Sequence, residues 1–213
     1  MALVADHGAA CRLLIVPALF DEANRMRRLT VEIMRRLAAA GIDCFLPDLP
    51  GCNESTARLD HQTPSDWQLA LSGAARHFAA THVLTIRGGA LLAPAQLPGW
   101  RYAPVSGTSQ LRQLLRARIV SAREAGRDET QDSLLAQGRD HGLVLAGYPL
   151  GADFITEFHS LAIPPASHLT DIGQDMVGGA GLWLRAEPGE SRAQADALAA
   201  IVAMGLTLSD SAA

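Results

Sequence analysis

Apolar residues along this chain gather in short solid runs, separated by stretches where they recur every three or four positions. Arg12–Val16 (Arg-Leu-Leu-Ile-Val) is a run without polar alternation, which suits a strand covered on both faces of a parallel sheet. From about Asn24 to Ala40, the residues Met26, Leu29, Ile33, Leu37 and Ala40 fall on one helical stripe, and Gly41 stands where a helix C-cap belongs. Asp43–Leu46 reads as the next strand, followed by a turn-rich loop from Pro47 to Asn53. Thr63 and Pro64 open a further helix by cap and first-turn preferences, with Trp67, Leu71, Ala74 and Phe78 on its apolar stripe. The alternation predicts βαβ units and a parallel sheet.

The stretch His82–Ala93 (His-Val-Leu-Thr-Ile-Arg-Gly-Gly-Ala-Leu-Leu-Ala) reads as a buried strand that turns sharply into a helix. Trp100–Ala103 is a further strand. From Pro104 to Pro165 the alternation lapses. Helical spacing recurs around Leu111–Ile119, Glu129–Gln137 and Asp153–Leu161, with a strand or ribbon at Gly142–Tyr148. The sheet is expected to resume at Leu182–Arg185, a helix to run from a Ser191 cap to Met204, and a last short strand to cover Leu206–Leu208. Met1–Ala10 reads as a frayed lead-in. The expectation is one α/β domain over 1–213: a mostly parallel sheet flanked by helices, with a helical lid inserted at 104–165.

Composition narrows the function classes. The apolar share is 48%, enough for a substantial core, and the net charge of -4 leaves no nucleic-acid footprint. The Arg-rich run from Arg25 to Arg36 is interleaved with apolar positions and reads as a solvated helix face. No apolar run is long enough to span a membrane, and the N-terminus lacks the basic-then-apolar order of a signal peptide. Cys11, Cys44 and Cys52 have no metal spacing, which fits free thiols in a cytoplasmic protein. No metal or other cofactor is expected.

Candidate chemistry centres on the turn at Thr85-Ile86-Arg87-Gly88-Gly89. Small-x-X-x-small at a strand-to-helix corner is the frame of a nucleophile elbow. Its middle position carries Arg87, and a guanidinium stays protonated and does not attack a carbonyl.

Four stretches, in order, resemble the α/β-hydrolases, and more closely the exosortase A system-associated hydrolases of the second type. They are Glu22-x-Asn24-x-x-Arg27-Arg28, then Asp48-Leu49-Pro50-Gly51-Cys52-Asn53-Glu54-Ser55, then Arg87–Ala93, then Pro104-Val105-Ser106-Gly107 with Ala146-Gly147-Tyr148. The set spans residues 12 to 165. The resemblance implies that Arg87 is inherited with the elbow. It also implies a bacterial cytoplasmic protein encoded alongside exopolysaccharide and protein-sorting systems, and it implies no substrate. Against the full fold the chain reads as truncated at both ends: the usual first two strands have no room before Arg12, and no His follows Leu208. Glu187 stands near the acid position of a triad, with neither nucleophile nor base to serve.

Two readings of Arg87 stand open. In one, Arg87 of the elbow position Arg87-Gly88-Gly89 and the backbone N–H groups of Leu19 and Phe20 form an anion site for a small carboxylate or phosphate. In the other, Arg87 closes a salt-bridge network with Asp21 and Glu22, joined by Arg27 and Arg28. The function that follows is a binding or accessory protein without a working triad. The alternative is an esterase or acyl-transfer hydrolase with an unconventional site, for which Ser106, Ser55, Cys52 and His168 are the candidates. Tyr148 and Trp100 line the pocket or fill the core. A homodimer through an exposed sheet edge, at Arg12–Val16 or Asp43–Leu46, is a further expectation.

Overall fold

The computed structural model describes residues 1–165 and 167–210, with side chains through 207. Six strands form one sheet: β1 (Ala2–Ala5), β2 (Arg12–Val16), β3 (Asp43–Pro47), β4 (His82–Ile86), β5 (Gly99–Tyr102) and β8 (Leu169–Ile172), in the spatial order β1-β3-β2-β4-β5-β8. All neighbouring pairs are parallel except β1 against β3. Strands β2 to β5 carry almost uninterrupted buried residues, as a sheet with helices on both faces requires.

Helix α1 (Asp21–Ala39) and helix α7 (Arg192–Asp210) pack on one face, where Met26, Leu29, Ile33, Leu198 and Val202 meet Ile15, Leu84 and Ile86. Helix α2 (Pro64–His77) covers the other face through Trp67 and Leu71. Its start is a capping box: the Thr63 hydroxyl accepts from the Asp66 N–H, and the Asp66 carboxylate accepts from the Thr63 N–H.

Between β5 and β8 the chain builds α3 (Gly107–Glu124), α4 (Gln131–His141), the hairpin β6 (Leu143–Leu145) and β7 (Tyr148–Leu150), and α5 (Ala152–Ser160). Phe20, in the loop between β2 and α1, fastens this segment to the sheet. Its ring meets Tyr148, Phe154 and Phe158 edge-on, with centroids 5.4, 6.0 and 5.5 Å away, and Trp67 at 6.1 Å.

Several elements differ from the sequence expectations. Residues 2–5 are a strand, not a frayed lead-in. The buried Asp43 carboxylate accepts from the His7 and Ala9 N–H groups, both at 2.8 Å, and from Arg12 Nη1 at 2.9 Å, tying the loop that follows β1. Consequently β2 is interior and β3 is covered by β1. The edges are β1 and β8, so neither Arg12–Val16 nor Asp43–Leu46 is open to a dimer partner. Helix α1 begins at Asp21 rather than Asn24, with Asp21 and Glu22 favourably placed in its first turn.

After β4 comes a 3₁₀ segment, Arg87–Leu92, and not an α-helix; two glycines and Pro94 leave too little chain for one. The strand expected at Leu182–Arg185 is a 3₁₀ turn, Leu182–Leu184, and the sheet resumes earlier, at β8. A one-turn helix, α6 (Gln174–Val177), follows β8. Leu206–Leu208 lie within α7, because the stripe of Ala195, Leu198, Ala199, Val202 and Leu206 keeps helical spacing to the end.

Candidate functional site

The sheet ends that gather side chains are the carboxyl ends of β2, β3 and β4, beneath β7 and α5. At the end of β4, Arg87 takes a left-handed backbone conformation, φ +54°, which costs a non-glycine residue of order 1 kcal/mol or more and needs support from its surroundings. That support is visible. A Cβ at Gly89 would lie 2.5 Å from the Pro17 carbonyl oxygen, so the turn closes directly on the end of β2.

The Arg87 guanidinium lies side-on to one carboxylate. Nε donates to Glu22 Oε2 and Nη2 donates to Glu22 Oε1, both at 3.0 Å, while Nη1 donates to the Ala103 carbonyl at 2.8 Å. Three of its five N–H donors are thereby occupied. Its Cζ sits 4.1 Å above the Trp183 ring, a cation–π contact. The Glu22 and Arg87 side chains are 4% and 12% exposed. A two-pronged ion pair of this kind is strong when water is excluded, and expensive to break from one side.

From α3, Gln110 completes the group. Its Nε2 faces Glu22 Oε2 at 3.5 Å, and its buried Oε1 has no protein donor among the described residues. An added Cβ on Gly88 would stand 2.1 Å from that Oε1, so only glycine admits the amide there. The space left beside Leu19, Phe20, Glu22 and Gln110 is ≈ 90 Å³.

Of the residues grouped on sequence grounds, the structure brings together Glu22 and Arg87. Asp21 faces Arg25 at 3.9 Å, Arg28 pairs with Glu190, and Arg27 has no ion-pair partner among the described residues. The wider network therefore does not form. The reason is helical phase: Glu22 faces the sheet end, whereas Asp21 and Arg28 face outward. Leu19 and Phe20 do sit beside Glu22 and Gln110, but a carboxylate already occupies the guanidinium they would share with an anion.

The remaining candidates lie apart. Ser106 Oγ caps α3, accepting from Ser109 N–H, and Ser55 Oγ accepts from the Gly51 N–H at 3.0 Å. Burial, aided by Asp48, pushes the Cys52 thiol up to about 11, which keeps it protonated and poorly nucleophilic at neutral pH. His168 is exposed, in a separate cleft with Gln68 and Ser72. Glu187 is exposed, and Trp100 is buried in the core. Among the described residues no three His, Cys, Asp or Glu side chains meet as a metal site, and no helix is long and apolar enough to cross a membrane.

Sequence reasoning missed Trp183 and Gln110. Neither carries a local signal: one lies on a one-turn segment, the other on α3, whose apolar stripe hides a single buried amide. It also missed a larger cleft, ≈ 190 Å³, at the ends of β2 and β3. Asn24 and Arg27 of α1, Asp48 and Asn53 of the loop after β3, and Tyr148 of β7 line it, above a floor that includes Trp67. The loop is fixed from below by Trp67 Nε1, which donates to the Pro50 carbonyl at 2.9 Å.

No protein-family model matches the chain, and no curated protein does. Solved structures do. Alpha/beta hydrolase domain-containing protein 10 from mouse is similar at 11% identity, over 97% of this chain and 93% of that one, with a TM-score of 0.55. A haloalkane dehalogenase loop variant from Bradyrhizobium elkanii aligns over 100% and 95% at 15% identity, TM-score 0.52. Est1E from Butyrivibrio proteoclasticus, with ferulic acid bound, aligns over 76% and 68% at 14% identity, TM-score 0.53. At such identities the likeness is one of architecture, a mostly parallel sheet flanked by helices: the chain has an α/β-hydrolase-like fold.

Proposed function

We propose that this chain is a binding or accessory protein built on a hydrolase fold, without Ser-His-Asp chemistry, and that it serves exopolysaccharide or exosortase systems in the bacterial cytoplasm. One observation carries the loss of chemistry: the strained turn that would present a nucleophile presents Arg87, locked onto the buried Glu22. A guanidinium so paired neither attacks a carbonyl nor offers its full fork to an incoming anion. The assignment to exosortase or exopolysaccharide systems is supported by the four ordered sequence stretches. Three of them contribute residues to the same cleft, namely Asn24 and Arg27, then Asp48, Leu49, Gly51, Cys52 and Asn53, and Tyr148.

Two measurements test this reading. The purified protein should leave short-chain p-nitrophenyl esters at the buffer rate and take no label from a fluorophosphonate probe. Turnover abolished by one substitution at Ser106, Ser55, Cys52 or His168 would establish the esterase or acyl-transfer alternative. Deletion of the gene in its host should lower secreted polysaccharide or sorted surface protein; unchanged output of both would remove the system assignment.

A further inference from the structure

The cleft at the ends of β2 and β3 has a chemical asymmetry. On its α1 wall, Asn24 and Arg27 are neighbours on one helix face, at i and i+3. Both are exposed at the rim, and neither side chain has a hydrogen-bond or ion-pair partner among the described residues. From the loop after β3, Asp48 also lines the cleft but is engaged: Asn53 Nδ2 donates to its Oδ1 at 3.0 Å. Below lie Leu49, Trp67 and the protonated Cys52, with Tyr148 at the lid side. Uncommitted donors therefore stand at the mouth and apolar surface lies inside, the usual plan of a small-molecule site.

We propose that this cleft binds a small monocarboxylate with an apolar body. Arg27 takes the carboxylate, Asn24 adds an amide donor, and the body lies along Leu49, Trp67 and Tyr148. The volume of ≈ 190 Å³ holds about six waters at about 30 Å³ each, or an apolar body of that bulk. Asp48, in the loop after β3, lines the same cleft, and its negative charge disfavours a dianion such as phosphate more than a monoanion. The inference deepens the binding reading above and relocates the anion from the elbow to α1.

The test is calorimetric titration of the full chain with hexanoate, phenylacetate, hexanamide, glucose and inorganic phosphate. Both carboxylates should bind, hexanamide at least tenfold more weakly, and phosphate and glucose not measurably. Arg27→Gln should weaken hexanoate at least tenfold, while Arg28→Gln, one residue along and turned toward Glu190, should leave it unchanged. Bound hexanoate should also slow alkylation of Cys52, which locates the ligand in this cleft. Equal affinity for hexanamide, indifference to Arg27→Gln, preference for glucose or phosphate, or no binding of either carboxylate would each overturn the proposal. Ester turnover by the same preparation would count against the binding function alone, because dependence on Arg27 would still be readable.

Discussion

Arg87 Nε and Nη2 face the two carboxylate oxygens of Glu22 at equal distances of 3.0 Å, in a site where both side chains are nearly dry. An acid from the first turn of α1 and a base from the turn after β4 thus join the two crossover segments over the sheet. Each charge of the pair is already partnered and almost dry, so its role is best sought in stability. Removing one partner strands the other charge in a low-dielectric pocket. Glu22→Gln or Arg87→Met alone should cost about 3–5 kcal/mol. The double variant should recover much of that loss, because neither charge is then stranded. Urea unfolding of the four proteins measures the coupling. Strictly additive losses would show that the pair acts as two independent groups.

Gly88 and Gln110 make a second, steric pair. A methyl at Gly88 would stand 2.1 Å from Gln110 Oε1 and 2.8 Å from its Cδ and Nε2. Gly88→Ala should therefore push the α3 amide off Glu22 and cost about 1–3 kcal/mol, as overpacking does. In Gln110→Ala the obstacle is gone, so adding Gly88→Ala to it should cost well under half as much. Denaturant midpoints of the single and double variants decide the matter. A Gly88→Ala penalty that persists in full without the glutamine would point to backbone strain instead.

Cys52 lines the open cleft, yet its environment argues against reactivity. Burial first, and Asp48 second, hold the thiol near about 11. At pH 8 the thiolate fraction is then roughly 0.1%, against about a tenth or more for a free cysteine. Alkylation of Cys52 by iodoacetamide should run at least tenfold slower in the folded protein than in urea, and should rise steeply above pH 9. Cys44, pushed up to about 12 by burial, should be slower still. Peptide mapping by mass spectrometry separates the two. Rapid labelling of native Cys52 at pH 7 would reopen it as a nucleophile.

The sheet's interior was legible because a strand buried on both faces writes itself as a solid apolar run. Arg12–Val16, Asp43–Leu46 and His82–Ile86 are such runs, and each is a strand. The edges were not legible. β8 reads Leu-Thr-Asp-Ile, with two exposed central residues, and Asp171 there pairs with Arg101 across to β5 at 2.6 Å. β1 has two exposed residues and is held by its pairing with β3, while the loop after it is tied to Asp43, 36 residues from His7 and 34 from Ala9. At the site, the turn after β4 carried a local signal because Gly88 and Gly89 stand where no side chain has room. The cleft carried none as a unit, for it is assembled from α1, the loop after β3, α2 and β7.

The edge strand offers an acid-sensitivity prediction. Arg12 pairs with Asp6 at 3.0 Å as well as with Asp43, clamping the end of β1 to β2. The Arg12 hydrogen bond, then the Gly8 N–H, hold the Asp6 carboxyl at about 2, below its ordinary 3.8. A depressed carboxyl stabilises the fold while it is ionised in both states, so the contribution is full above about pH 4. As pH falls below that, the unfolded chain takes up the proton first, and the contribution is lost progressively toward pH 2. Asp6→Asn should therefore lower stability at pH 6 and leave a smaller deficit at pH 3, with the two urea curves converging. Exposure of Asp6 keeps the effect modest, and added salt should reduce it further. Amide exchange of the β1 strand, Ala2–Ala5, should quicken in the variant before any change reaches β4. A deficit that is independent of pH would assign Asp6 a turn-forming role, through its bond to the Gly8 N–H, in place of the ionic clamp.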